Sequence, residues 1–230
     1  MNQKILKRIT AALVLALLVG FGASTTATYA TSLPPQCQYI STAGSQFRSY
    51  NKYDGGVREF ADDTWYGSQV TPSSPTMFIG DDYGRRLWYG ILDFDTSTLP
   101  DTAFITDAYI DLRVLCLNPM FGNPYLSLGD MYADITSPYF GTSSKLEPQD
   151  FESFGFGYAG TFSQAYKANM IITMQVDPGA LWGIDPTQRT QFKLYFLDDN
   201  NDSLTQGITV ASGNYALASY RPLLTVCFEP

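Results

Sequence analysis

Oxygen-bearing side chains alternate along one short stretch near the end of the chain. Asp198, Asn200 and Asp202 follow an apolar run and are each separated by one residue. Carboxylate and amide oxygens at this spacing allow a short loop to wrap a calcium ion. The stretch is therefore a candidate calcium site, and calcium is the one ion that the sequence suggests.

The same stretch lacks the signature of an EF-hand. Ser203 stands where that loop requires Gly, and Thr209 replaces its bidentate Glu. A complete site would need further carboxylates from another loop, such as Asp81 or Asp82. The alternative is an Asp/Asn-rich β-turn that closes a hairpin and binds no ion.

A second acidic pair, Asp93 and Asp95, is of the type used in glycoside hydrolysis. That chemistry needs two carboxyls facing each other across a cleft, whereas positions two apart on a strand share one face. Asp95 can instead accept hydrogen bonds from the turn at Ser97 and Thr98. The chain also has no histidine, which removes the commonest general base and the usual imidazole ligands. We expect no enzyme activity and no required cofactor.

Aromatic residues are concentrated in a long Gly-rich segment, residues 138–163. Their rings could stack on the C–H faces of sugars, could be buried between subunits, or could be covered by their own loop, and the sequence does not rank these three. The three tryptophans, Trp65, Trp88 and Trp182, have the strand or strand-edge context of core residues. The candidate binding residues in the segment are Tyr139, Phe140, Phe154, Phe156 and Tyr158.

The N-terminus has the pattern of an export signal. Lys4, Lys7 and Arg8 precede an apolar run over residues 9–23, and small residues follow as far as Ala30. The run is too short for a membrane span, so we expect a signal peptide at residues 1–30, a secreted protein and no membrane insertion after cleavage. Cleavage leaves 11 of the 14 basic residues against 22 acidic ones, a formal charge of −11. Such a charge argues against nucleic acid as a partner.

Short apolar runs separated by turn residues predict an all-β fold. Aromatic residues make up 15% of the chain against 16% charged residues, and residues 107–117 alternate apolar and polar, as a half-buried strand does. Residues 87–94 are apolar on both faces, which predicts a central strand. We expect one helical turn over residues 177–182 and one domain over residues 57–230, preceded by an extension at 31–56. The predicted strands cover residues 57–66, 76–79, 87–95, 107–117, 126–135, 169–176, 190–197, 208–212 and 222–228.

Several of these segments together resemble the secreted DNRLRE (disaggregatase-related) β-sandwich domains. Residues 92–100, LDFDTSTLP, are similar to the family signature "LrFDlSsLP", and residues 105–112 to "ItsAtLrL". The resemblance implies a single jelly-roll-like antiparallel β-sandwich that is not an enzyme and that has a binding or adhesive role. Further similar segments are residues 61–65, 78–80, 190–194, 212–215 and 220–224.

The chain has three cysteines, so at most one internal disulfide can form. The family's inward positions on the last strand match Leu224, Val226 and Phe228, which places Cys227 outward and able to pair with Cys37, within or between chains. Cys116 shares the core-facing alternation of its strand, and we expect a buried thiol there.

Two function classes follow from these features. The first is a structural subunit that assembles with copies of itself into an extracellular filament, tube or layer, with the extension lying against a neighbour. The second is a secreted carbohydrate-binding or adhesive module, for which extracellular polysaccharide is the partner.

Cleavage of the signal peptide is directly testable. We expect N-terminal sequencing of the exported protein to begin at Thr31, because Ala30 ends the only export signal in the sequence. A mature protein that begins at Met1 would contradict this assignment.

Overall fold

A computed structural model describes residues 35–37, 43–49, 52–117, 122–199 and 202–230. The predicted signal peptide and Asn200 lie outside these ranges. Among the described residues, no helix is long and apolar enough to cross a lipid bilayer. The strands are β1 (Ala43–Arg48), β2 (Gly55–Glu59), β3 (Gly67–Thr71), β4 (Thr76–Asp81), β5 (Leu87–Asp95), β6 (Phe104–Leu117), β7 (Met131–Thr136), β8 (Gly157–Thr161), β9 (Ile171–Gln175), β10 (Arg189–Phe196), β11 (Gln206–Ala211) and β12 (Leu223–Glu229).

Helical structure is confined to short turns in the described part of the chain. One α-helical turn, α1, covers Pro124–Ser127, and the helical turn predicted at residues 177–182 is a 3-10 helix at Pro178–Gly183. Further 3-10 turns lie at Pro35–Cys37, Pro148–Asp150 and Ala218–Tyr220. The predicted all-β fold is therefore confirmed.

The strands form a curled antiparallel sheet in which β6 joins two layers. The first part of β6 pairs with β12 and β9, and β12 also pairs with β1. The last part of β6 pairs with β11, which begins the order β11, β4, β5, β10, β7, β8. The β2–β3 hairpin is attached to β5 through β2. The jelly-roll connectivity implied by the family resemblance stays a prediction.

Strand β5 is buried on both faces, as its sequence predicts. Leu92 and Phe94 belong to the main core between the layers. Leu87 and Ile91 belong to a second cluster on the outer face of β5. That outer cluster is completed by side chains from the β2–β3 hairpin and from the loop after β7, namely Val57, Phe140, Leu146 and Phe151.

The predicted burial of Cys116 is wrong. The apolar alternation of β6 holds through Val114, but the pairing with β11 then shifts, so that Thr209 lies opposite Cys116 and Val210 opposite Val114. The extra residue, Leu115, is a β-bulge that reverses the faces of the residues after it. Cys116 is therefore an exposed thiol.

The domain boundary predicted at Val57 is also wrong for the described residues. Residues 43–48 form β1, which pairs with β12 of the same chain, and Phe47 reaches the main core. Residues 55 and 56 already belong to β2. This part of the predicted extension is therefore integral to the fold of its own chain, and its predicted contact with a neighbouring molecule stays a prediction.

A disulfide joins Cys37 to Cys227 within one chain and spans 190 residues of sequence. Cys227 is fully buried but does not belong to the main core, and the turn Pro35–Cys37 contacts its strand, β12. The predicted pairing is therefore intramolecular.

Loss of this disulfide should destabilise the protein strongly. A cross-link over a loop of this length lowers the entropy of the unfolded chain by an equivalent of about 5 kcal/mol in the chain-entropy model. In denaturant titrations we expect C37S to lower the free energy of unfolding by up to about 5 kcal/mol. C116S should unfold as wild type does. Alkylation of Cys37 in the unreduced protein would contradict the pairing.

Candidate functional site

The outer face of the second layer carries a groove of about 360 Å³, which we call the aromatic groove. Its floor comes from neighbouring strands, because Tyr89 on β5, Lys193 and Tyr195 on β10 and Asp134 on β7 project from the same face of the sheet. Its walls come from two loops. The lining residues are Trp65, Tyr89, Asp134, Phe151, Glu152, Ser153, Phe154, Lys193 and Tyr195.

A row of aromatic rings crosses the strands at the groove. Ring centroids lie 4.3 Å apart for Phe151 and Tyr89, and 5.6 Å apart for Tyr89 and Tyr195. Tyr132 continues the row at 6.2 Å from Tyr195, and Tyr158 follows at 5.7 Å from Tyr132. These separations are typical of favourable ring contacts. The row gives the groove an extended apolar floor with phenol groups along it.

One wall of the groove is formed by Trp65, whose position depends on Glu59. The buried carboxylate of Glu59 accepts hydrogen bonds from the backbone N–H groups of Thr64, at 2.9 Å, and Trp65, at 3.2 Å. It also accepts one from the backbone of Leu87 on β5. Trp65 has a left-handed φ of 56°, and its side chain is 67% exposed. The predicted core role of Trp65 is wrong, because this loop turns its side chain outward.

The opposite wall is the turn that carries Phe151, Ser153 and Phe154. The buried ammonium of Lys193 donates hydrogen bonds to the carbonyl oxygens of Phe151, at 3.0 Å, and Ser153. Burial lowers the pKa of Lys193 to about 8. Lys193 thereby fixes the turn to the sheet, and Phe154 projects from it with 96% of its side chain exposed.

The approach of this turn to β3 depends on a glycine. The backbone N–H of Gly67 donates to the Glu152 carboxylate at 3.0 Å. A Cβ at Gly67 would lie 1.7 Å from the carbonyl oxygen of Pro148. Only glycine therefore lets β3 and the turn meet at this separation.

Polar groups at the groove are held in defined states. The Tyr195 hydroxyl donates to Asp134 at 3.0 Å. Burial, followed by the nearby Asp134 carboxylate, raises the pKa of Tyr195, so the phenol stays protonated at neutral pH. Asp134 is then an oriented acceptor beside an aromatic surface.

The predicted loop aromatics have different environments in the structure. Phe154 lines the groove and Tyr158 extends the ring row. Phe140 is 1% exposed and packs in the outer cluster, so its predicted binding role is wrong. Tyr139 is half-buried and is not among the groove residues. Two aromatic groove residues that the sequence analysis missed, Tyr89 and Tyr195, lie on strands, whereas the predicted binding aromatics all come from the loop segment 138–163.

Trp182 lines a different surface, which we call the apolar hollow, and Phe156 packs against Trp182. Their rings stack with centroids 4.8 Å apart, and Trp182 is 67% exposed. The predicted core position of Trp182 is wrong, because the 3-10 helix Pro178–Gly183 buries Ala180 and Gly183 instead. The hollow measures about 650 Å³ and is lined by Ala103, Phe104, Ile105, Thr106, Pro178, Leu181, Trp182, Ile184 and Pro186.

Two of the three predicted calcium ligands, Asp198 and Asp202, lie within the described residues, and the site itself stays a prediction. Asp198 is exposed, and the carboxylate of Asp202 accepts from the backbone of Leu204 and from the Gln206 side chain. The contact with Leu204 is that of an Asx turn, but β10 and β11 do not pair with each other, so the turn does not close a hairpin. Asn200 lies outside the described residues.

A different set of carboxylates does come together within the described ranges. Oxygens of Asp62, Asp63 and Asp199 all lie within 4.8 Å of one another. Asp62 and Asp63 are in the β2–β3 loop, and Asp199 follows β10. We call these three residues the carboxylate cluster.

Asp93 and Asp95 share one arginine. Arg189 forms ion pairs with both carboxylates, at 3.2 Å for Asp95. Asp93 is fully buried and also accepts from Gln191, and burial raises its pKa. The Ser97 hydroxyl donates to Asp95 at 2.6 Å, which is the turn contact that the sequence predicts. The pair has the contacts of a structural ion-pair network.

No protein-family model matches this chain, and no curated protein matches it. The resemblance to DNRLRE domains rests on the motifs quoted above and stays a prediction.

Proposed function

We propose that the mature protein is a secreted, non-catalytic module that binds carbohydrate in the aromatic groove. The observation that carries this proposal is the ring row, which leads into a groove with Trp65 and Phe154 exposed at its walls. Sugars present C–H faces that pack on aromatic rings and hydroxyls that need hydrogen-bond partners. The groove offers both, because Asp134 and Glu152 lie beside the rings.

The walls of the groove are built before any ligand arrives. Trp65 is held through Glu59, and the turn before Phe154 is held through Lys193. A site whose walls are already ordered loses less conformational entropy on binding. The acidic net charge of the mature chain favours a neutral polysaccharide over an acidic one.

Affinity gel electrophoresis tests the proposal with a panel of neutral polysaccharides that includes xylan, hydroxyethyl cellulose, laminarin and glycol chitin. We expect at least one to retard the wild-type protein. W65A should weaken the affinity for that polysaccharide by about two- to twelvefold, since one aromatic stacking contact contributes roughly 0.5–1.5 kcal/mol.

A matched control is W182A, because Trp182 has the same 67% exposure as Trp65 but lies in the apolar hollow. W182A should bind as wild type. The proposal fails if no member of the panel is bound, or if W65A and W182A bind equally well.

Self-assembly is the second candidate function, and the apolar hollow favours it. Phe104 is 70% exposed at the hollow, beside the exposed Trp182. Exposed apolar surface of this kind is typical of protein contacts. The described part of the N-terminal segment is already paired with β12 in its own chain, so in this arrangement the hollow is the more suitable contact surface.

Size-exclusion chromatography and negative-stain microscopy of the mature protein test self-assembly. We expect wild type to form oligomers or regular polymers as its concentration rises, and F104S to remain monomeric, because the substitution removes apolar area from the contact. W65A is the control and should assemble normally. A wild-type protein that stays monomeric throughout would exclude this function.

A further inference from the structure

The carboxylate cluster has the dimensions of a cation site. Its three oxygens lie within 4.8 Å of one another, and oxygens that share one calcium ion at about 2.3–2.6 Å are separated by comparable distances. Carboxylates this close repel one another unless a positive charge lies between or beside them. Arg85 is 3.7 Å from Asp62, but half of its side chain is exposed and it also donates to Ser203.

An independent feature at the same end of the sheet is the buried side chain of Asp81. Asp81 ends β4 and is 0% exposed, and neither of its carboxylate oxygens accepts a hydrogen bond. A buried carboxylate without a partner is costly. Its pKa is raised to about 7, first by burial and then by Asp199, with smaller effects from Asp82, Asp202 and Asp62. In the strand register Asp81 lies opposite Leu87, and Leu87 lines the same small cavity as Asp63 and Asp199.

The cluster is also connected to the aromatic groove. Asp63 and Asp199 line a separate small cavity of about 180 Å³ together with Trp65, Tyr89 and Tyr195. Asp63 precedes Trp65 by two residues in a loop whose ends meet through the hydrogen bond from the Phe60 N–H to the Tyr66 carbonyl. An ion held here would connect this loop to the segment after β10.

We propose that Asp62, Asp63 and Asp199 bind one calcium ion, and that this ion adds to the Glu59 hydrogen bonds in holding the loop that places Trp65 at the aromatic groove. Carboxylate oxygens from two separate loops suit calcium, which accepts irregular coordination, better than magnesium, which demands an octahedral shell. Water and backbone carbonyls complete the coordination. The positive charge of the ion also reduces the electrostatic cost of burying the Asp81 carboxylate. The cation site does not depend on the glycan, whereas its effect on Trp65 at the groove rests on the proposed function.

Terbium luminescence and calorimetry on the mature protein test the site. Tb³⁺ replaces Ca²⁺ at oxygen sites, and excitation of a nearby tryptophan sensitises its emission. We expect wild type to sensitise Tb³⁺, and Ca²⁺ to displace it more effectively than Mg²⁺. W65A should lose the sensitised emission but keep calcium binding by calorimetry, because Trp65 supplies no ligand.

Substitutions in the cluster identify the ligands. D63N and D199N should each weaken calcium binding by about tenfold or more, since each removes one ligand charge. D101N is the matched control, because Asp101 is exposed in the turn between β5 and β6. At the same calcium concentration, the melting temperature of wild type and D101N should rise more than that of D63N. Equal weakening by D63N and D101N would mean that the acidic surface attracts cations without a defined site.

The two parts of the proposal fail separately. Absence of calcium binding at about 10 mM, well above the range of weak extracellular sites, would exclude the cation site. If the protein binds calcium but chelation does not change its retardation by polysaccharide, the effect of the ion on the groove is excluded. The cation site and polysaccharide binding would then both remain supported. If the protein binds calcium but no polysaccharide of the panel retards it, the proposed glycan function is excluded and the cation site remains supported.

Discussion

The arrangement of this protein depends on covering the two apolar faces of β5. Leu92 and Phe94 are buried in the core between the layers, but Leu87 and Ile91 on the other face need a second cover. The β2–β3 hairpin and the loop after β7 provide it. The aromatic groove lies between residues of these two covers, so the groove is a direct consequence of burying β5 twice.

Charged side chains hold both covers in place. Glu59 organises the loop before Trp65, and Lys193 fixes the turn before Phe154. Burial raises the pKa of Glu59 and lowers that of Lys193, which shows that the fold makes each charge costly. Apolar residues of similar volume often give equal or greater stability at such positions. Their contribution is therefore orientation, because each bonds a backbone segment in one geometry.

The sequence predicted those parts of the fold in which one strand determines its own environment. The two-sided burial of β5 follows directly from its apolar run. The burial that the sequence predicts for β6 is correct up to Val114 and wrong at Cys116. The β-bulge there is set by the pairing with β11 and cannot be seen in the apolar–polar alternation of the sequence. Strands β1, β3 and β8 were missed because residues 43–48, 67–71 and 157–161 are mostly small or polar, and their partners, not their own propensities, make them strands.

The candidate site was the least predictable part, because its residues meet only through tertiary structure. Asp199 lies in sequence between two of the predicted calcium ligands, Asp198 and Asn200. Its neighbours in space, Asp62 and Asp63, are more than 130 residues earlier in the chain. Trp65 has a strand-like context, and only the hydrogen bonds to Glu59 show why it points outward. A search for local motifs favours residues that are close in sequence. In a sandwich, however, the ends of distant strands lie side by side, and it is there that separate loops combine carboxylates with an exposed aromatic ring.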